Sequence, residues 1–448
     1  MAKQLFGTDG IRGVAGEYPL DPRTAWAAGL ALGHWARRHG GRAEVVIGMD
    51  TRESGPWLAE QVAGGLARAG VASRLAGVVS TPGIAYLTRT GDFVAGVMIS
   101  ASHNPYQDNG IKVFSHSGYK LPDDEEHRIE QEILRLREDS VEPAPVRLTA
   151  DPSLDRRYID YLARLGPSLD GVSIVIDCAH GSAHALAPGL FSRLGAEVAA
   201  IGCQPNGRNI NLDCGALHLD SLCRAVLDRG ADLGVAFDGD ADRAIFVSRS
   251  GRVVNGDAVL LICGRWLHER RLLNGSDGQP VVVSTVMSNL GLEKALAAHG
   301  IRMVRTPVGD KYVLEEMVRL GAALGGEQSG HVIFRDHATT GDGLLTALRV
   351  LEVLRSTGQD LDSLAEDLKV FPQKLVNIRV ASRRPLEELP SVRDEIRLAE
   401  QVLGQSGRIV VRFSGTEPLA RVMIEAEDAA QVDLYTERIA AAIRRELG

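Results

Sequence analysis

The chain has 448 residues, enough for about three or four domains with proper apolar cores. At 44% apolar and 24% charged it is an ordinary globular chain and not a disordered one. A formal charge of −8 argues against general nucleic-acid binding, so any anion site must be a local basic pocket.

The start, "MAKQLFGTDGIRG", has no apolar core of signal-peptide length, and no run reaches the roughly 18 apolar residues of a membrane span. The expected location is the cytoplasm, with no nucleic-acid and no membrane partner. The five cysteines (Cys178, Cys203, Cys214, Cys223 and Cys263) are odd in number and lack C-x-x-C spacing. They read as reduced thiols and not as a metal site.

In chain order, "DPRTAWAAGLALGHWARRHG" is a helix with Asp21 as N-cap, Pro22 in the first turn and Gly40 after the end. "AEVVIGMD" is an apolar strand and "PWLAEQVAGGLARAG" a second helix. "FVAGVMIS" is a buried strand running into "ASHNPYQDNGIKVF", and the charged helix "DDEEHRIEQEILRLRED" follows. The polar, proline-bearing "SVEPAPVRLTADPSLDRR" marks a boundary. A second unit holds "GVSIVIDCAHGSAHALAPGLFSRLG", read as strand, loop and helix, and "ADLGVAFDGDADRAIFVS", read as strand, acidic loop and strand. A third contains "PVVVSTVMSNLGLEKALAAHG" and the long helix "GDGLLTALRVLEVLRSTG". The last part differs. "KLVNIRV", "GRIVVRF" and "RVMIEAE" alternate as half-buried strands, and "DLYTERIAAAIRREL" is an amphipathic helix.

"EVVIGMDTRESG", "VSIVIDCAHGSA" and "VVVSTVMSNLGL" each set an apolar strand before a loop that opens a helix. Three related domains would account for this, and so would three unrelated strands of a common type. The expected organisation is α/β over 1–152, 153–255 and 256–370, with a smaller α+β domain over 371–448.

The strongest local signal is "FDGDADR". Asp238, Asp240 and Asp242 alternate just after a strand, and carboxylates this close repel unless a cation lies between them. All-oxygen ligands suit Mg²⁺ or Ca²⁺. An EF-hand is excluded, because counting from Asp238 its required glycine falls on Arg243 and its required glutamate on Arg249. Three carboxylates leave open positions on Mg²⁺ for a phosphate oxygen, and Arg243 stands beside them.

In "SASHNP", a Ser102–His103 hydrolase pair is a poor reading, because adjacent side chains diverge and G-x-S-x-G is absent. Two readings stay open: a polar loop, or a hydroxyl that carries a phosphoryl group balanced by Lys112. "VRFSGTEPLAR" offers Arg412, Ser414, Gly415, Thr416 and Arg421, either the inventory of a phosphate cradle without P-loop spacing or a Gly-Thr turn with surface arginines. In "GGEQSGH", Glu327, Ser329 and His331 could meet sugar hydroxyls or an amine, or form a plain loop. Asp310 and Lys311 in "TPVGDKY" are site residues or an ion-paired surface turn. Arg12 sits in a glycine-rich turn where it could reach a phosphate or serve a structural turn alone.

Together "FGTDGIRG", "SASHNPYQDNGIK", "DGDADR", "GGEQSGH" and "RFSGTEP" resemble the α-D-phosphohexomutase superfamily, in matching order across almost the whole chain. Within it, "FGTDGIRG", "GGEQSGH" and "TTGDG" are most similar to the bacterial phosphoglucosamine mutases, where mannose and glucose enzymes place another residue at Gln328. The resemblance implies three similar mixed-sheet α/β domains and a smaller C-terminal α+β domain around a central cleft. It implies phosphoserine at Ser102, and one Mg²⁺ held by Ser102, Asp238, Asp240 and Asp242. It places Arg12, Lys112 and Arg243 around the moving phosphoryl group. Glu327 and Ser329 would grip the sugar, with Asp310 and Lys311 as further sugar-site residues. Arg412, Ser414, Gly415, Thr416 and Arg421 would hold the resting phosphate. The implied partner is an amino-sugar phosphate, with glucosamine 1,6-bisphosphate as intermediate and a homodimer as assembly. His331, Lys112 and Arg12 are all candidates for the general base. One departure stands out: "NINLDCGALH" carries "CGALH" where such enzymes often show "CGSTH", which puts that loop's contribution in doubt.

Overall fold

The computed structural model describes residues 5–7, 9–39, 44–139, 141–382, 384–414 and 419–448. The first sheet contains β1 (Phe6–Gly7), β2 (Gly10–Val14), β3 (Glu44–Met49), β4 (Ala72–Val78), β5 (Ala95–Ile99) and β6 (Asp108–Ser115). The second holds β7 (Ser173–Asp177), β8 (Glu197–Ile201), β9 (Leu233–Phe237), β10 (Ala244–Ser248) and β11 (Val253–Val254). The third holds β12 (Val281–Thr285), β13 (Arg302–Thr306), β14 (Leu324–Gly326) and β15 (Val332–Phe334). The fourth holds β16 (Gln373–Arg379), β17 (Gly407–Phe413) and β18 (Leu419–Ala426).

One plan recurs in the first three sheets. The orders β4-β3-β5-β6, β8-β7-β9-β10 and β13-β12-β14-β15 are the same arrangement. In each, the first strand is central and parallel to the next two, and the fourth runs antiparallel. The three central strands are the three segments of the sequence repeat. They are apolar because helices cover both faces, and Val45, Val46, Ile47 and Val281, Val282, Val283 are fully buried.

This plan positions the site. The connection from third to fourth strand carries "SASHNPYQ" in the first sheet, "DGDADR" in the second and "EQSGH" in the third. All three loops leave their sheets at the carboxyl ends of parallel strands, where α/β sheets place their ligands.

Local expectations hold in part: the half-buried alternation expected of "RVMIEAE" is absent, because residues 422–426 of the central strand β18 are buried without a break. Asp21 accepts the Thr24 N–H at 3.0 Å and caps the helix Pro22–His39, while the expected Gly40 stop lies outside the described residues. The fourth sheet is antiparallel throughout, in the order β16-β18-β17. It shares a core with helices Pro390–Leu403 and Ala429–Leu447. All five cysteines are free thiols. Among the described residues no helix is long and apolar enough to cross a membrane.

Candidate active site

Ser102 and the acidic loop meet, although 136 positions separate Ser102 from Asp238. The Ser102 hydroxyl donates to Oδ2 of Asp238 at 2.5 Å. Asp238, Asp240 and Asp242 are buried, and one carboxylate oxygen from each lies within 4.8 Å of the others. Burial pushes the Asp238 carboxyl well up, and the charges of Asp242 and Asp240 push it further. Burial also raises Asp242, but His331, Lys112 and Arg243 outweigh it and hold that carboxyl far below its usual range.

The donors on these carboxylates come from all sides. Asp240 Oδ2 accepts from Thr81 Oγ1 at 2.5 Å and from Lys112 Nζ at 2.8 Å. Oδ1 of Asp240 and Oδ1 of Asp242 are buried and accept no hydrogen bond. Two idle buried carboxylate oxygens beside a third carboxylate fit a hard divalent cation such as Mg²⁺.

Cations ring the serine. Lys112 is 1% exposed and lies 3.0 Å from Asp9 Oδ2 and 3.9 Å from Asp242 Oδ2. Burial opposes its charge, but Asp240, Asp9 and Asp242 raise its pKa far above the usual lysine value. Arg12 pairs with Asp9 and reaches the Ala101 carbonyl at 3.4 Å. Arg243 Nε stands 4.0 Å from Asp238 and 3.9 Å from Asp242. His103 faces the same space. Burial, then Arg243 and Arg12, lower its pKa to about 4, so it is a neutral ring near neutral pH.

These groups open on a cavity of about 490 Å³. Arg12, Ser102, Arg243, Asp310, Glu327 and His331 line it, drawn from the first three sheets' units. Nδ1 of His331 is 3.5 Å from Asp242, and Nε2 accepts the Gly341 N–H at 3.0 Å. Burial lowers its pKa, but Asp242 and Asp310 outweigh that and push it up to about 9. The Gly341 bond needs a lone pair on Nε2 and so opposes that second proton. Glu327 accepts the Gly309 N–H at 3.3 Å, and the Ser329 hydroxyl makes no hydrogen bond.

Other expected residues stand elsewhere. Lys311 pairs with Asp123 at 2.5 Å and lines a separate cavity of about 310 Å³ instead of the main one. Gln328 turns away and donates to Asp257 at 3.3 Å. Arg412 and Arg421 face each other in register on β17 and β18. Burial and the Arg421 charge lower the Arg412 pKa. The Ser414 N–H donates to the Leu419 carbonyl at 2.8 Å. Gly415 and Thr416 lie outside the described residues. No described residue of β16, β17 or β18 lines the main cavity.

Sequence reasoning passed over Asp9 and Lys120. Lys120 Nζ lies 2.6 Å from Asp9 Oδ1 and 2.6 Å from Asp310 Oδ2, joining the first and third units at the cleft. Burial opposes the Lys120 charge, but Asp310 and Asp9 raise its pKa strongly. Asp9 lay inside "FGTDGIRG", where only Arg12 drew attention. Lys120 had no local signal.

Four family profiles match in succession. The phosphoglucomutase/phosphomannomutase alpha/beta/alpha domains I, II and III match residues 3–140, 156–251 and 255–371. The C-terminal domain profile matches 375–442. A phosphoglucosamine mutase of Solibacter usitatus (strain Ellin6076) is 64% identical, with 100% of each chain covered. The chain belongs to the phosphoglucosamine mutase family. A member from Koribacter versatilis (strain Ellin345) is 52% identical, over 100% of this chain and 98% of its own. Among solved structures, a phosphoglucomutase/phosphomannomutase family protein of Burkholderia thailandensis superposes with a TM-score of 0.80 at 24% identity, covering 98% of this chain and 97% of that one. The Aspergillus fumigatus N-acetylphosphoglucosamine mutase, solved with GlcNAc-6P and magnesium, gives 0.66 at 18% identity over 99% and 96%. At these identities the solved structures speak for the fold alone.

Proposed function

We infer that this chain is a phosphoglucosamine mutase, interconverting glucosamine 6-phosphate and glucosamine 1-phosphate. The observation that carries the reading is the Ser102 hydroxyl on Asp238, within a buried carboxylate trio at a cation-lined cleft. A sugar-phosphate binder has no use for a hydroxyl held in that setting.

Phosphorylated Ser102 presents its phosphoryl group to the free hydroxyl of the bound sugar phosphate. The P–Oγ bond breaks as the new P–O bond forms, giving glucosamine 1,6-bisphosphate and the free serine. The sugar reverses its placement, and its other phosphate returns to Ser102. The attacking hydroxyl must lose a proton. His331 lines the cleft and can take that proton only when Nε2 is released from the Gly341 N–H, while Lys112 and Arg12 are charged donors suited to the phosphoryl oxygens. Asp238, Asp240 and Asp242, with an oxygen of phosphorylated Ser102, would hold the Mg²⁺. When bound, the ion neutralises charge on the transferring group, which is the main demand of phosphoryl transfer. Glu327 offers a carboxylate to the sugar's hydroxyls or amine. Arg412, Ser414, Gly415, Thr416 and Arg421 would hold the distal phosphate after the last domain closes on the cleft. The product would feed synthesis of nucleotide-activated amino sugars for the cell wall.

Comparing kcat/KM on glucosamine, glucose and mannose 6-phosphates tests the assignment. The expected preference is for glucosamine 6-phosphate. A preference for glucose or mannose phosphate would make the chain a phosphogluco- or phosphomannomutase instead. Steady release of inorganic phosphate would make it a phosphatase.

A further inference from the structure

Ser102 has a left-handed backbone, with φ of 52°. That conformation is unfavourable for a non-glycine residue and persists only where the surroundings hold it. The holding groups surround the backbone oxygens of the turn. Arg52 Nη2 donates to the Ser102 carbonyl at 3.1 Å and to the Asn104 carbonyl at 2.6 Å. Asn211 Nδ2 donates to the same two carbonyls, at 2.9 and 3.1 Å. Both partners of Asn211 are acceptors only, so the amide nitrogen, not its oxygen, must face them.

The two clamps differ in origin. Arg52 belongs to the same unit as Ser102 and pairs with Asp50 at the end of β3. Asn211 arrives from the second unit, in the very "NINLDCGALH" loop whose role the sequence left in doubt. That loop is itself tied down. The Asn211 N–H donates to the Ala179 carbonyl at 2.9 Å. Asp177, the last residue of β7, accepts the N–H groups of Ala179 at 2.9 Å and Gly215 at 2.8 Å. The acidic loop closes the same contact: a Cβ on Gly239 would fall 2.5 Å from the Ser102 carbonyl and 2.9 Å from Asn211 Nδ2. Only glycine lets the two loops touch there.

We propose that Asn211 is a positioning residue for phosphoryl transfer. Its side-chain amide clamps the Ser102 and Asn104 carbonyls and so sets the Ser102 hydroxyl on Asp238 across the seam between two units. The proposal rests on the functional reading above for its kinetic consequence, but the clamp itself does not.

Asn211 has a left-handed backbone too, with φ of 60°, and this supplies the test. Asn211→Gly keeps the turn and removes the amide. Asn211→Asp keeps the turn and the shape but turns a carboxylate on two carbonyls. Both variants should lose kcat by about 100-fold while KM for glucosamine 6-phosphate stays within about threefold, because positioning and not binding is lost. Amide exchange in a peptide spanning residues 100–106 should speed up by about tenfold or more, with peptides of the fourth sheet unchanged. Wild-type kcat in either variant would overturn the proposal, since the turn conformation alone would then suffice. Unchanged exchange over 100–106 would overturn it as well, as would a loss of kcat matched by an equal rise in KM. If the wild-type protein shows no mutase turnover, the functional reading fails, and the exchange measurement alone still decides the clamp.

Discussion

Gly341 donates its backbone N–H to Nε2 of His331 at 3.0 Å, and a Cβ on Gly341 would lie 2.5 Å from that ring. The glycine of "TTGDG" therefore both orients the imidazole and makes room for it. Gly341→Ala should push the ring off its place beside Asp242. The expected result is a fall in kcat of about 10- to 100-fold with a lower thermal midpoint. Steady-state kinetics beside a thermal melt reads both. An alanine variant with normal kcat would remove His331 placement from the mechanism.

Ser102→Ala removes the hydroxyl that we propose carries the phosphoryl group. Intact-mass measurement of the wild-type protein should show a partial gain of one phosphate that the variant lacks. Turnover should fall by at least about 1,000-fold, as for loss of a covalent nucleophile. Full activity in Ser102→Ala would end the phosphoserine reading.

Asp240→Asn removes a carboxylate that Lys112 and Thr81 hold in place and whose other oxygen is idle. Chelation should abolish wild-type turnover, and Mg²⁺ should restore it. In the variant the Mg²⁺ concentration for half-maximal activity should rise by about 100-fold. An unchanged Mg²⁺ titration would remove the trio as the metal site.

Lys120→Met leaves Asp9 and Asp310 facing each other without the ammonium between them. Removing one partner from a buried ion network costs about 3 kcal/mol, so the thermal midpoint should fall. The first and third units also lose their tie at the cleft, so KM should rise. Lys120→Arg, which keeps the charge, should recover part of both.

Asp342 caps the helix Gly343–Thr357 and accepts the Tyr158 hydroxyl at 2.8 Å. Burial pushes its carboxyl up to about 6, against the lowering effect of the Leu345 N–H and Tyr158. A carboxyl raised in the folded state favours folding while it is protonated. That contribution is complete below the ordinary value near 4 and is lost as pH rises through about 6. Asp342→Asn cannot ionise. Between pH 4 and 6 the variant should therefore gain stability over wild type, by up to about 3 kcal/mol. Thermal melts of both proteins across that window check the sign. A constant difference would place the Asp342 pKa near its ordinary value.

Much of this protein is legible in one dimension. Strand ends, helix caps and the repeat of central strands follow from period and turn chemistry, which are written within a few residues. Thus "EVVIGM", "SIVID" and "VVVST" read as three buried strands before any sheet is seen, while their equivalence rests on the shared sheet order. The acidic trio is equally local, because its three carboxylates lie within five positions of one another. Residues joined across the cleft are not legible in this way. Ser102 and Asp238 are 136 positions apart, and Lys120 and Asp310 are 190 apart. No periodicity connects them, since their contact depends on how separate sheets pack. The same packing turns Lys311 toward Asp123 and Gln328 toward Asp257. It also brings Asn211 from a loop of unclear role onto the carbonyls of the serine turn. The sequence by itself determined which groups could carry the chemistry, because that depends on residue type and local spacing. Only the tertiary structure decided which of them share one cleft, because that depends on distances the chain's order does not contain.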